Sequence, residues 1–139
     1  MKHLLIIFSL LLTSVSWSKD EKENIYLVCD GTIEYKDNTI YKETKSYHLK
    51  LNKYSKYNIY YDLNFEVDCE HTKTFFVCES SEVRQSIKKD ITIEIDRISG
   101  SISHLQYRTY LKTDDRNNFI EENNFVFKGK CEEKEEKLF

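Results

Sequence analysis

The chain has 139 residues, 21 basic and 24 acidic side chains, a net charge of −3, and 40% apolar and 14% aromatic residues. That is enough for one domain and hardly two, rich enough in large side chains for a core, and without a general nucleic-acid footprint. Gly (3) and Pro (0) are scarce and Ala is absent, which excludes collagen-like, linker-like and Ala-rich helical chains.

Residues 1–18 have the order of a secretory leader. Met1-Lys2-His3 gives a positive start, Leu4 to Val15 is mostly apolar, and Ser16-Trp17-Ser18 puts small residues before a cut at Ser18/Lys19. The apolar run falls short of the roughly 20 residues of a transmembrane helix. Cys29 follows Tyr26-Leu27-Val28 and lacks the small residue of a lipoprotein signal. The expectation is export, to the periplasm or outside the cell, of a single β domain over 19–139 with no stable membrane insertion once the leader is removed.

The remainder alternates. Tyr57, Ile59, Tyr61, Leu63, Phe65 and Val67 take every second position, with Asn58, Tyr60, Asp62, Asn64, Glu66 and Asp68 between them. Such a period scatters around a helix axis but puts one face of a strand on a core, so 57–68 is expected to be a strand. Shorter runs behave alike: Ile25, Leu27, Cys29; Tyr47, Leu49, Leu51; Ile91, Ile93, Ile95; Leu105, Tyr107, Leu111; Phe125, Phe127. Asp37-Asn38, Lys53 to Lys56, Ser99-Gly100-Ser101 and Asp114 to Asn118 read as turns. Ser80 to Lys89, with Val83 and Ile87 four apart, is the one helix candidate. About eight strands predict an all-β antiparallel sandwich or small closed barrel with at most one short helix. A barrel in the outer membrane is the rival, opposed by the cysteines and by the charged run Glu132 to Lys137.

Register can be anticipated at one hairpin. Matching Ile91–Ile95 with Leu105–Leu111 puts Ile95 opposite Leu105 and Ile93 opposite Tyr107, around a three-residue loop, Ser99-Gly100-Ser101. On the other face Asp96 would then meet His104 and Glu94 would meet Gln106.

Four cysteines in a small exported domain read as two disulfides, with three pairings open. Cys69 and Cys78 flank His71 to Thr74 and fit opposite positions of a tight hairpin; Cys29 and Cys131 would then close nearly the whole chain. This pairing is favoured over the crossed ones. Zinc held by Cys69, Glu70, His71 and Cys78 lacks the usual ligand spacing, and no metal, cofactor or catalytic residue is expected. Glu94 and Asp96, about 7 Å apart on one strand face, have a separation that glycosidase carboxylates allow, but a wet strand face is the commoner explanation. Lys, Asn, Ile, Tyr and Phe abundance is what AT-rich coding DNA produces, so position and not frequency identifies candidates. The face carrying Asp62, Asn64, Glu66 and Asp68 beside Asn58 and Tyr60 is the nominated binding face.

Cys29-Asp-Gly31, Ile93-Glu-Ile95-Asp96-Arg97-Ile-Ser99-Gly100, Gly129-Lys-Cys131 and a terminal Phe139 together resemble a group of small secreted bacterial proteins of unknown function. That resemblance implies an all-β fold with the N- and C-terminal cysteines close together, and no activity. Tyr26-Leu27-Val28-Cys29-Asp30-Gly31 is also similar to the opening of periplasmic C-type lysozyme inhibitors, whose Ser/Lys active loop has no counterpart here. The leading functional expectation is an exported interaction module, of inhibitor or immunity type, for a cationic hydrolase or toxin. The alternatives are a carrier of a small apolar ligand in a barrel lined by Tyr57, Tyr61, Phe65 and Tyr107, and a carboxylate hydrolase using Glu94 and Asp96.

Overall fold

Alternation of this kind has only a few ways to hide its apolar side, and a sheet curled onto itself is the one without edges. The computed structural model describes residues 22–62, 65–110 and 124–135. Eight antiparallel strands run β1 (Asn24–Tyr35), β2 (Ile40–Leu51), β3 (Tyr57–Tyr61), β4 (Phe65–His71), β5 (Phe75–Arg84), β6 (Ile87–Asp96), β7 (Ser101–Tyr110) and β8 (Phe125–Lys134). Each pairs with the next and β8 returns to β1, closing the barrel. The described residues contain no helix. Residues 1–18, Leu63, Asn64, Leu111, the segment 114–118 expected to turn and Phe139 lie outside the described residues.

The core is a stack of inward side chains, among them Leu27, Tyr47, Leu49, Tyr57, Ile59, Phe76, Ile93, Ile95 and Phe127, all fully buried. Two disulfides cross strand pairs, Cys29–Cys131 between β1 and β8 and Cys69–Cys78 between β4 and β5. The favoured cysteine pairing is therefore the one the molecule has, and the four sulfurs are not metal ligands.

Three expectations need correction. The alternating run 57–68 is two strands rather than one. Asp62 turns with φ 44°, and Tyr57, Ile59 and Tyr61 lie opposite Cys69, Val67 and Phe65. Because a three-residue connection keeps inward and outward positions in step, the alternation runs through the turn unbroken.

Ser80–Lys89 is a hairpin, not a helix. Val83 pairs with Lys88 and Arg84 with Ile87 around Gln85-Ser86, both at positive φ (50° and 66°). Two central residues with positive φ make the turn whose twist suits a two-residue hairpin, usually written Asn-Gly; here side chains that dislike that conformation occupy it.

The β6–β7 register also differs. Ile95 faces Ile102, Ile93 faces His104 and Ile91 faces Gln106. The Asp96 carboxylate accepts hydrogen bonds from the N–H groups of Ile98 (2.8 Å) and Ser99 (3.1 Å), and Gly100 takes φ 78°. This turn spans Arg97–Gly100, one residue longer than the anticipated loop, and the slip exchanges the faces of β7. Ile102, His104 and Gln106 go inside, while Tyr107 is 44% exposed. The expected pairs Asp96–His104 and Glu94–Gln106 do not form; Glu94 faces Ser103.

Strand lengths leave a fork in the wall. β4 and β5 pair only through Cys69–Cys78, Glu70–Val77 and His71–Phe76, whereas β5 continues with β6 out to Arg84. Below the Cys69–Cys78 bridge the two strands diverge, and Phe65, Glu66, Val67, Ser80, Glu82, Lys89 and Ile91 line a cavity of about 50 Å³ between them.

Candidate functional site

The hairpin at Asp62 changes the geometry of the nominated binding face. Asn58 lies opposite Asp68 and Tyr60 opposite Glu66, so side chains expected in a line along one strand form a two-strand patch. Glu66 accepts hydrogen bonds from the Asn58 amide and from the Tyr60 hydroxyl (3.1 Å). The Tyr60 phenol is pushed above its ordinary pKa, first by partial burial and then by the Glu66 carboxylate it bonds. Asp62 sits at the turn itself, and Asn64 is outside the described residues.

Register extends the patch across four strands. Tyr26, His48, Tyr60 and Glu66 form one transverse row on the outer surface. Tyr26 stacks on His48 with centroids 4.4 Å apart, and His48 lies 5.8 Å from Tyr60. His48 Nε2 also meets the Asn24 side chain at 2.8 Å. Along one edge Asn58, Asp68, Glu70 and Glu79, with Lys56 and Tyr54, line a shallow groove of about 540 Å³. Lys56 bridges to Glu70 at 3.0 Å, which leaves an excess of carboxylates there. Tyr26 and His48 were absent from the nominated set, because which strands adjoin on the outside is a matter of register and not of local pattern.

A second group of polar side chains is inside the barrel. His104 is fully buried, and its Nδ1 lies 2.7 Å from the Tyr47 hydroxyl. Burial, reinforced by the Lys45 and Lys89 charges, lowers the imidazole to a pKa of about 3. Burial first, then the Asp62 carboxylate, raises the Tyr47 and Tyr61 phenols well above their usual range. With the ring neutral and the phenol protonated, the arrangement with fewest unpaired groups has Tyr47 donating to Nδ1 and the ring proton on Nε2. Among the described residues, His104 Nε2, the Tyr61 hydroxyl, Arg108 Nε and, by the β6–β7 turn, Arg97 Nε are buried without a hydrogen-bond partner. The sequence reading missed this group because the anticipated register put His104 outside.

The other nominations separate. Glu94 is exposed on the outer surface, and Asp96 is committed to the β6–β7 turn, whose N–H groups hold its carboxyl below the usual range. That direction is opposite to what a general acid needs. Of the proposed ligand cavity, Tyr57 and Tyr61 are inside, but Phe65 and Tyr107 are 38% and 44% exposed. The His71 ring packs edge-on against Tyr57 at 5.0 Å. No group of three or more metal-ligating side chains is found among the described residues, and no described helix is long and apolar enough to cross a membrane.

Cys29-x-Gly31 and Gly129-x-Cys131 are cross-strand partners, Cys29 with Cys131 and Gly31 with Gly129. These residues close the barrel. Comparison of the chain with protein-family models, with curated proteins and with solved structures gives no match.

Proposed function

We propose that the protein is an exported binding module that recognises a cationic partner, of the kind of a hydrolase or toxin, through the outer surface of β1–β5. Export is supported by the leader-like segment 1–18 and by two disulfides, which persist in oxidising compartments. The observation that carries the reading is the row Tyr26–His48–Tyr60–Glu66 beside the carboxylates of Asp68, Glu70 and Glu79. Aromatic side chains already stacked on a rigid sheet contribute contact area at little further entropic cost, and an adjoining acidic groove steers a basic partner. An ordinary wet strand face explains the carboxylates alone, but not the stacked rings in register with them.

The test is capture from a periplasmic extract, and from a purified C-type lysozyme as the cationic probe, by the folded domain 19–139. Charge reversal at Glu66, Asp68 and Glu79 to Lys is expected to weaken capture more than tenfold and to flatten its salt dependence. Capture of the same partner at undiminished strength by the triple variant removes this face from consideration.

A further inference from the structure

Closing a sheet into a ring removes its edges only where neighbouring strands are equally long. β2 has 12 residues and β3 only 5, and the two pair through residues 47–51 of β2 alone. From Tyr47 towards the β1–β2 turn, β2 keeps β1 on one side and has no strand on the other among the described residues. We propose that this edge, residues 40–46, takes up an extended segment of another protein as an added antiparallel strand, and that Lys42 selects segments with a carboxylate opposite it. The inference goes beyond the cationic-partner reading and does not rest on it.

Hydrogen-bond parity shows what the edge offers. The Tyr35 N–H donates to the Thr39 carbonyl (3.0 Å), and the Leu51 N–H donates to the Glu23 carbonyl (2.8 Å). Antiparallel ladders alternate, so odd-numbered residues of β2 exchange bonds with β1 and even-numbered ones point their N–H and C=O groups the other way. His48 and Lys50 use theirs on β3, opposite Tyr60 and Asn58. Ile40, Lys42 and Thr44 carry the same outward groups without a backbone partner among the described residues. Donors and acceptors at that regular spacing match another extended backbone, and strand addition to a free edge is a recurrent mode of peptide recognition. Side chains of these three residues lie on the outer surface, since Tyr47 and Leu49, of the other parity, are fully buried.

Charge narrows the occupant. On the inward side Glu43 and Lys45 lie 3.6 Å apart, whereas Lys42 on the outer side has no ion pair among the described residues. A lysine in the middle of an edge guards against indiscriminate pairing. Here it turns away a second copy of the chain: the longest two-fold register that clears Tyr61, the β3 residue opposite Tyr47, sets Lys42 against Lys42. A strand with Glu or Asp at that position, and β-branched residues opposite Ile40 and Thr44, meets attraction instead. The edge of β5 beyond Cys78 is also unpaired, but Phe65, Glu66 and Val67 stand across a fork of only about 50 Å³ and leave no room for a strand.

The probe is the capped peptide Thr-Val-Thr-Glu-Thr-Val-Thr, titrated into the intact oxidised protein and followed by backbone NMR and hydrogen exchange. The amides of Ile40, Lys42 and Thr44 are expected to shift and to gain protection. The same peptide with Lys in place of Glu should bind about tenfold more weakly, and Lys42→Glu should reverse that preference. N-methylation of the Val and Glu residues, whose N–H groups would face β2, should abolish binding, while methylation of the two Thr residues beside Glu is tolerated. Equal binding of the two peptides, indifference to the place of the methyl groups, or shifts confined to Tyr26, His48 and Tyr60 overturns the proposal. So does protection of the Lys42 and Thr44 amides in the free protein, which would mean that the edge is already covered.

Discussion

Gly31 lies directly opposite Gly129 across the β1–β8 seam, and a Cβ placed on Gly31 would come within 2.1 Å of the Lys128 carbonyl oxygen. On the other strand a Cβ at Gly129 would lie 2.3 Å from the Asp30 carbonyl oxygen. Both obstructions are backbone, so neither can swing aside. Gly31→Ala and Gly129→Ala are each expected to cost about 2–4 kcal/mol, at the upper end for a single methyl group, because the strands must part beside a disulfide. Urea unfolding midpoints check this, and a loss below about 0.5 kcal/mol would contradict the close approach.

The two disulfides should contribute unequally. Cys29–Cys131 spans 102 residues of sequence and Cys69–Cys78 only 9. On the chain-entropy account, removing the first by paired serine substitution costs about 4–5 kcal/mol and removing the second about 2.5 kcal/mol. Thermal unfolding of the two double variants would reveal the order, and a reversed order would show that Cys69–Cys78 holds the fork together by more than loop closure.

Gln85 and Ser86 occupy a turn that favours Asn and Gly. Replacing them as Gln85→Asn with Ser86→Gly should stabilise the protein by about 1 kcal/mol, since two side chains leave a conformation they resist. Chemical denaturation is the measurement; destabilisation would mean that these side chains make a contact worth more than the backbone relief.

Acid should weaken the fold through His104. Its folded pKa of about 3 lies below the ordinary 6.5, so between those values the unfolded chain binds a proton that the native state refuses. Stability present above pH 6.5 is then lost as the pH falls towards 3, by an amount on the order of 4 kcal/mol. The exposed carboxyls of Asp96 and Asp37, both lowered by hydrogen bonds in their turns, add losses in the same direction as they are protonated. His104→Gln should flatten the part of the pH profile between 6.5 and about 4; an unchanged profile would place the acid sensitivity elsewhere.

Much of the barrel was legible because parity survives its first turns. In β1, β2, β3 and β4 the inward residues, such as Leu27, Tyr47, Ile59 and Val67, all carry odd numbers, so the apolar alternation stays in phase and each strand declares its face. The Cys69–Cys78 pairing could be read for a related reason, since a tight hairpin between them leaves few registers. From β5 onward the inward set changes parity at every connection, to Phe76, then Ile93, then His104, then Phe127. Pattern matching fails there where polar residues lie inside. Leu105 and Tyr107 look like the core face of β7, and only the hydrogen bonds of Asp96 to Ile98 and Ser99 decide that Ile102, His104 and Gln106 take it instead. The Ser80–Lys89 hairpin was invisible because its turn lacks Asn or Gly. The outer row was half legible: Tyr60 and Glu66 sit on one alternating run, while Tyr26 and His48 join them only once the ring of strands closes.

That closure has a topological consequence. With β8 laid against β1 and Cys29 bonded to Cys131, the wall is a ring whose covalent start is arbitrary, and every strand pairs only with its two neighbours around that ring. A rearranged gene that bridges the old ends and begins instead at Ser86 should encode the same cylinder, with its seam moved to the hairpin that tolerates its own connection least.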